Sequence, residues 1–179
     1  MRDVRLAALC GCLAATVWSG ACASGATVAG PTPFPGAPVA EWSVHAAEHA
    51  AIASAALAIA LTERGVPYQL GGDSPASGFD CSGLVRYAYE QQGIELPRTV
   101  AEQYDVGEHV DRDDIQPGDL VFFSTVTRGA SHVGLAIDAT TFVHAPDSGS
   151  VVRVERFDTR YWRQRFKGAR RVASLPSSP

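Results

Sequence analysis

The chain has 179 residues, a net charge of -4, 46% apolar residues and 19% charged ones. That length fits one domain of ordinary size with tails, able to bury a core without metal or disulfide staples, and the composition excludes a fibrous or disordered chain. The mildly acidic balance, with no cluster of basic and aromatic residues, gives no ground for a nucleic-acid partner; the cationic run from Arg153 to Arg171 reads first as a solvated surface.

Met1 to Arg5 carries two arginines, Leu6 to Val17 is apolar, and small residues follow to Ser24. This is the three-part layout of an export signal over residues 1–23. The apolar run is short for a permanent membrane span. Two processing routes fit the same residues. Ala21-Cys22-Ala23 suits cleavage to a secreted product beginning at Ser24, whereas Ser19-Gly20-Ala21-Cys22 suits a lipoprotein box with Cys22 acylated, although Ser19 stands where leucine is usual. Both place the mature protein outside the cytoplasm, free or tethered to a membrane at the cell envelope. Cys10, Cys12 and Cys22 all fall in this segment, which leaves Cys81 as the one thiol of the domain proper.

Residues 24–42 are small and contain Pro31, Pro33, Pro35 and Pro38, a composition that reads as a disordered tether because it cannot bury enough apolar surface to offset ordering entropy. The domain is expected over 43–175. An alanine-rich helix is expected from Ser43, as N-cap, to Arg64, stopped by Gly65-Val66-Pro67. His45 and His49 lie one turn apart on it without the glutamate of a zinc-peptidase helix, so they read as a solvated face. A loop rich in Gly, Pro and Ser follows, then Cys81. Ser82 to Gln92 carries Leu84, Val85, Ala88 and Tyr89 at the spacing of one buried helix face, with Gly93 closing it, and a short helix is expected over 99–104. Asp111 to Asp114 lacks the glycine and distal glutamate of a calcium loop and reads as a polar turn. The rest is strand-like: 119–123, 132–137, 141–144 and 151–154, an antiparallel meander. Helices first and strands after define an α+β domain.

Chemistry concentrates where Cys81 opens a helix. Unsatisfied N–H groups and the helix dipole favour a thiolate there. A nucleophilic thiol needs a base, and of the five histidines His132 begins a strand and His144 ends one, where a sheet rim can hold them rigidly beside a helix N-terminus. His144 is placed to orient the His132 imidazole from a neighbouring strand. Two plainer uses compete: a buried inert cysteine with core histidines, and a zinc site built from Cys81, His132 and His144, which lacks closely paired ligands.

Several ordered motifs then agree. Gly65-Val66-Pro67-Tyr68 with Gly71-Gly72, Phe79-Asp80-Cys81-Ser82-Gly83-Leu84-Val85, Leu96-Pro97-Arg98-Thr99, Pro117 to Phe123, Ser131 to Ile137 and Phe142-Val143-His144-Ala145 resemble the NlpC/P60 peptidases over residues 52–172. The resemblance implies a papain-like α+β fold, with helices packed on an antiparallel sheet, and a cysteine endopeptidase acting on peptidoglycan stem peptides. The bond it implies joins γ-D-glutamate to a diamino acid and is cleaved through a thioester. It implies Cys81 as nucleophile, His132 as base and His144 as orienter, Tyr68 near the oxyanion position, and Asp80 and Ser82 at the substrate's free amine; Arg98 matches a motif residue without an assigned role. No metal or cofactor is expected, and the domain is expected to act as a monomer. Asp80 is also a natural helix cap. The competing functions are a module that binds wall peptide or braces the envelope without cutting, and an amidase resembling the CHAP peptidases.

Overall fold

A computed structural model describes residues 39–172, with side chains from Val44 onward. The export segment with Cys22, the proline-rich stretch up to Pro38 and residues 173–175 lie outside the described residues.

The long helix α1 spans Val39–Thr62 and so starts four residues before Ser43, just after Pro38, with Ala40 and Glu41 as helix formers upstream of the expected cap. Residues 39–42, expected in the tether, are therefore helical backbone. Its 44–62 stretch is long and apolar enough for a membrane span by length and composition. Its C-terminal half nevertheless packs on the core through Ala53, Ala56, Leu57 and Ala60.

A two-stranded ribbon, β1 (Asp73–Ser74) and β2 (Gly78–Phe79), leads into α2 (Cys81–Glu90), one residue earlier than the expected start. Helix α3 (Val100–Tyr104) is fixed by a capping box in which Thr99 and Glu102 satisfy each other's backbone N–H. The main sheet contains β3 (Glu108–Val110), β4 (Leu120–Phe123), β5 (His132–Ala136), β6 (Thr141–His144), β7 (Arg153–Arg156) and β8 (Phe166–Arg171), in the order β3-β8-β4-β5-β6-β7, all antiparallel. A single helical turn, α4 (Arg160–Arg163), precedes β8.

The expected meander holds for β4 to β7 and fails at its ends. The C-terminal chain returns to form β8 between β3 and β4, where a solvated arginine-rich surface was expected. The last expected strand also starts later, at Arg153. Val151 and Val152 pair instead with the loop after α1: the Gly65 N–H donates to the Val152 carbonyl at 3.0 Å, and the Val152 N–H donates to the Val66 carbonyl at 2.8 Å. Asp111 to Asp114 does form a polar turn, one turn of 3-10 helix over Arg112–Asp114.

Alternation along β4 builds two apolar layers. Leu120 and Phe122 face α1 and α2 together with Leu84, Tyr89, Val133 and Leu135, whereas Val121 and Phe123 face the other way, against Phe142, Phe157 and Trp162. Each such side chain withdrawn from water contributes roughly 1.5–3 kcal/mol, so this strand anchors the sheet from both faces. Beside it, β5 is buried along its whole length and carries His132 at its start.

Candidate active site

Cys81 is the first residue of α2. Asp80 is its N-cap, accepting the Gly83 N–H at 2.7 Å. The helix can start there because Gly83 has no side chain: a Cβ would lie 2.1 Å from the Gly72 carbonyl oxygen. This accounts for the glycine two residues after the cysteine, against which the Gly72 carbonyl lies. The Asp80 carboxylate also accepts the Gly71 N–H at 2.9 Å, and Arg98 forks it, Nη1 to Oδ1 at 3.0 Å and Nη2 to Oδ2 at 2.7 Å. Burial works to raise this carboxyl, but the Arg98 and backbone hydrogen bonds outweigh it and hold it below its ordinary value. Arg98 further donates to Ser82 Oγ at 3.0 Å, and Ser82 donates to Asp80 Oδ1 at 3.2 Å. Gln103 of α3 completes the clamp by donating to the Ser82 and Pro97 carbonyls.

The sulfur lies against β5, where the Val133 N–H reaches it. Next to it in sequence, His132 meets His144 across strands: Nε2 of His132 is 2.8 Å from Nδ1 of His144, with the rings near perpendicular. Gly134 makes room for this, since a Cβ there would lie 2.6 Å from the Phe142 ring and 3.0 Å from His144 Cβ. A zinc site would need nitrogens of both imidazoles turned to one point; two of them instead face each other. His45 and His109 are exposed and His49 is half-buried, whereas His132 and His144 are buried.

Burial pushes the Cys81 thiol up to about 11 and pushes His132 down to about 3, with His144 adding to the latter. The resting site therefore favours neutral thiol and neutral imidazole over the thiolate that the helix N-terminus alone suggests. Burial, and then the nearby Cys81 and Asp80, also raise the Tyr68 phenol, which stays a neutral donor. Tyr68, Asp80, Cys81, Ser82 and Arg98 line one open cleft of about 560 Å³. A second cleft of about 310 Å³ is lined by His132, Asp147, Arg153, Glu155 and Trp162, and Val126 borders both. The structure thus gathers Tyr68, Asp80, Cys81 and Ser82 at one opening, with the His132–His144 pair beginning on the strand that Cys81 touches. Cys22 is outside the described residues.

Residues 65–171 match the NlpC/P60 family. The chain belongs to that family. Among its relatives, gamma-DL-glutamyl hydrolase of Bacillus subtilis is 44% identical over 113 residues, 62% of this chain and 27% of that protein. Murein DD-endopeptidase MepH of Escherichia coli is 43% identical over 112 residues, 60% of this chain and 41% of that protein. The chain thus spans less than half the length of these two relatives. A solved NLP/P60-family structure from Staphylococcus aureus, described as similar to a lipoprotein, superposes with a TM-score of 0.63 at 34% identity, covering 70% of this chain and 42% of that one. The α+β, papain-like architecture of this NlpC/P60 domain agrees with that likeness.

Two features of the domain escaped the sequence reading. Arg98 carries the role left open for it, the clamp on Asp80 and Ser82. Glu155 and Trp162 stand behind the histidine pair: the Trp162 indole N–H donates to Glu155 Oε2 at 2.7 Å, and Trp162 stacks on His132 at 5.6 Å between centroids. The alternation of β7 puts Arg153 and Glu155 on one face, but only the register, His144 opposite Arg153 and Phe142 opposite Glu155, brings that face to the site.

Proposed function

We propose that this protein is a cysteine endopeptidase that hydrolyses peptidoglycan stem peptides outside the cytoplasm, with Cys81 as nucleophile, His132 as base and His144 as the residue orienting it. The observation that carries the reading is a thiol at a helix N-terminus that lines a cleft and meets the Val133 N–H, one residue along β5 from His132, whose buried imidazole is joined to that of His144 at 2.8 Å. Because thiol and imidazole rest neutral, proton transfer accompanies attack: His132 takes the thiol proton as sulfur bonds to the carbonyl carbon. The oxyanion meets the Cys81 backbone N–H, one of the donors a helix N-terminus leaves unsatisfied, and the Tyr68 hydroxyl. Collapse breaks the C–N bond, and the proton on His132 goes to the leaving amine. Water then attacks the thioester carbonyl, its proton passing to His132; the C–S bond breaks, the carboxylic acid product leaves, and His132 returns the proton to the sulfur, which restores the neutral thiol.

Tyr68, Asp80 and Ser82 would receive the acyl side of the substrate. Asp80 is already committed to the helix cap and to Arg98, so an incoming amine meets a carboxylate whose charge is largely countered. A γ-glutamyl bond, such as the one between γ-D-glutamate and the diamino acid, is in line with the relative named as a gamma-DL-glutamyl hydrolase; the relative named as a murein DD-endopeptidase speaks instead for a D,D bond. Export rests on the charged, apolar and small-residue succession of residues 1–23, with Cys22 as the acylated anchor.

Incubating the purified protein with defined stem peptides and cross-linked dimers, and weighing the products, tests activity and bond together. Cys81→Ala is expected to fold as the wild type and release no product. Cleavage persisting in that variant rejects the nucleophile, and an inert wild type turns the reading to a wall-peptide-binding module.

A further inference from the structure

The histidine pair poses a problem of proton placement that its two members cannot solve alone. His132 Nε2 faces His144 Nδ1, so the nitrogen left to His132 for taking a proton from a thiol is Nδ1. For Nδ1 to be empty, neutral His132 must carry its proton on Nε2 and donate it to His144. His144 must then accept at Nδ1 and carry its own proton on Nε2. That Nε2 is fully buried and has no hydrogen-bond partner. Facing it at 3.7 Å, beyond hydrogen-bond range but within ion-pair range, is Oε1 of Glu155.

We propose that Glu155 is a positioning residue of this site, the anionic end of a chain Glu155–His144–His132–Cys81 that selects the Nε2–H tautomer of both imidazoles and stabilises the imidazolium formed when His132 takes the proton. The inference rests on the peptidase reading for its catalytic meaning. Its structural content does not need turnover.

The carboxylate is built into place. Trp162 of α4 donates to Oε2 at 2.7 Å, and Arg153 of β7 donates to Oε1 at 2.6 Å. The groups that face this cluster are His144 on β6, His132 on β5, Arg153 on β7, Asp147 in the connection between β6 and β7, and Tyr161 on α4. The interactions with His144 above all, then with Trp162 and Arg153, hold the Glu155 carboxyl down at about 2 against the burial that raises it, so it is charged at neutral pH. Its charge raises both imidazoles, in opposition to burial. Trp162 serves twice, tying down the carboxylate and lying flat on His132, so that position and charge at the histidine pair are set by the same side chain.

Glu155→Gln removes the charge and leaves one acceptor oxygen for three donors. Two readouts apply to the full-length protein: long-range proton–nitrogen NMR of the histidine rings, which reports tautomer without substrate, and the pH profile of kcat/KM on a stem peptide. Loss of the Nε2–H tautomer of His144 is expected, with a fall in kcat of about tenfold to a hundredfold and little change in KM. The acid limb should move to lower pH, because the carboxylate that favours the protonated imidazole is gone. If Glu155→Gln does not fold, Trp162→Phe keeps a ring against His132 while removing one of the two donors that hold the carboxylate, and should move both readouts in the same direction by less. Wild-type tautomers together with an unmoved kcat and acid limb would overturn the proposal. An inactive wild type whose tautomers still depend on Glu155 would sink the peptidase reading and leave the role of Glu155 standing.

Discussion

A cysteine at a helix start is, by itself, a weak sign; here the residues around it decide how it is held. Asp80 and Arg98 fix the turn that presents Cys81, and their fork is part-buried, so removing one partner strands the other. Arg98→Ala is expected to cost about 2–4 kcal/mol at neutral pH by urea unfolding, since the carboxylate keeps only backbone and hydroxyl donors. Asp80 is held below its ordinary value of 3.8 in the folded protein, so its contribution is fully present above that value and is lost as pH falls through the folded one. The gap between wild type and variant should therefore close below about pH 4. A gap independent of pH would mean that Arg98 acts through packing rather than charge. Cys81, His132 and His144 were legible in the sequence because each sits at an end of an apolar run, where a side chain reaches the rim of a sheet or helix. Glu155 was not: among Arg153, Val154 and Arg156 it has the pattern of a solvated strand, and its partners lie on other elements.

At the scale of elements, local pattern served best where the apolar period was strong. Helix α2 and strands β4, β5 and β6 fall within a residue or two of expectation because each is buried enough for periodicity to show. Strand β8 was hidden by its arginines. Arg171 is no solvated cation: its Nε and Nη2 grip the two oxygens of the buried Asp119 at 2.8 and 2.7 Å, and Nη2 also donates to the Asp114 carbonyl. That fork ties the last strand to the turn that begins β4. Arg171→Ala leaves Asp119 buried with the Gln116 N–H as its remaining donor at 2.8 Å, and should cost about 3 kcal/mol in a urea titration. A loss below about 1 kcal/mol would place the pair with exposed salt bridges, which contribute little. The shift of β7 has the same origin as the concealment of β8: Val151 and Val152 form bridges to the segment carrying Tyr68, a pairing across most of the domain that no local pattern contains.

For the molecule as a whole, export and anchoring are statements of sequence, and their test is chemical. The mass of the mature protein recovered from its host envelope should show a chain beginning at an acylated Cys22; an unmodified chain beginning at Ser24 would remove the membrane tether and leave a freely secreted protein. The α+β class, helix α2, strands β4 to β6 and the candidacy of Cys81, His132 and His144 were legible in sequence alone, because burial imposes periods of two and 3.6 on a chain and special residues mark where those periods stop. Tertiary structure decided what sequence spacing does not encode: the return of β8 to the middle of the sheet, the clamp of Arg98 on Asp80, and the carboxylate of Glu155 behind His144. Each joins side chains from distant segments, and the proton positions that follow depend on separations of a few ångströms, which pairing register and packing alone fix.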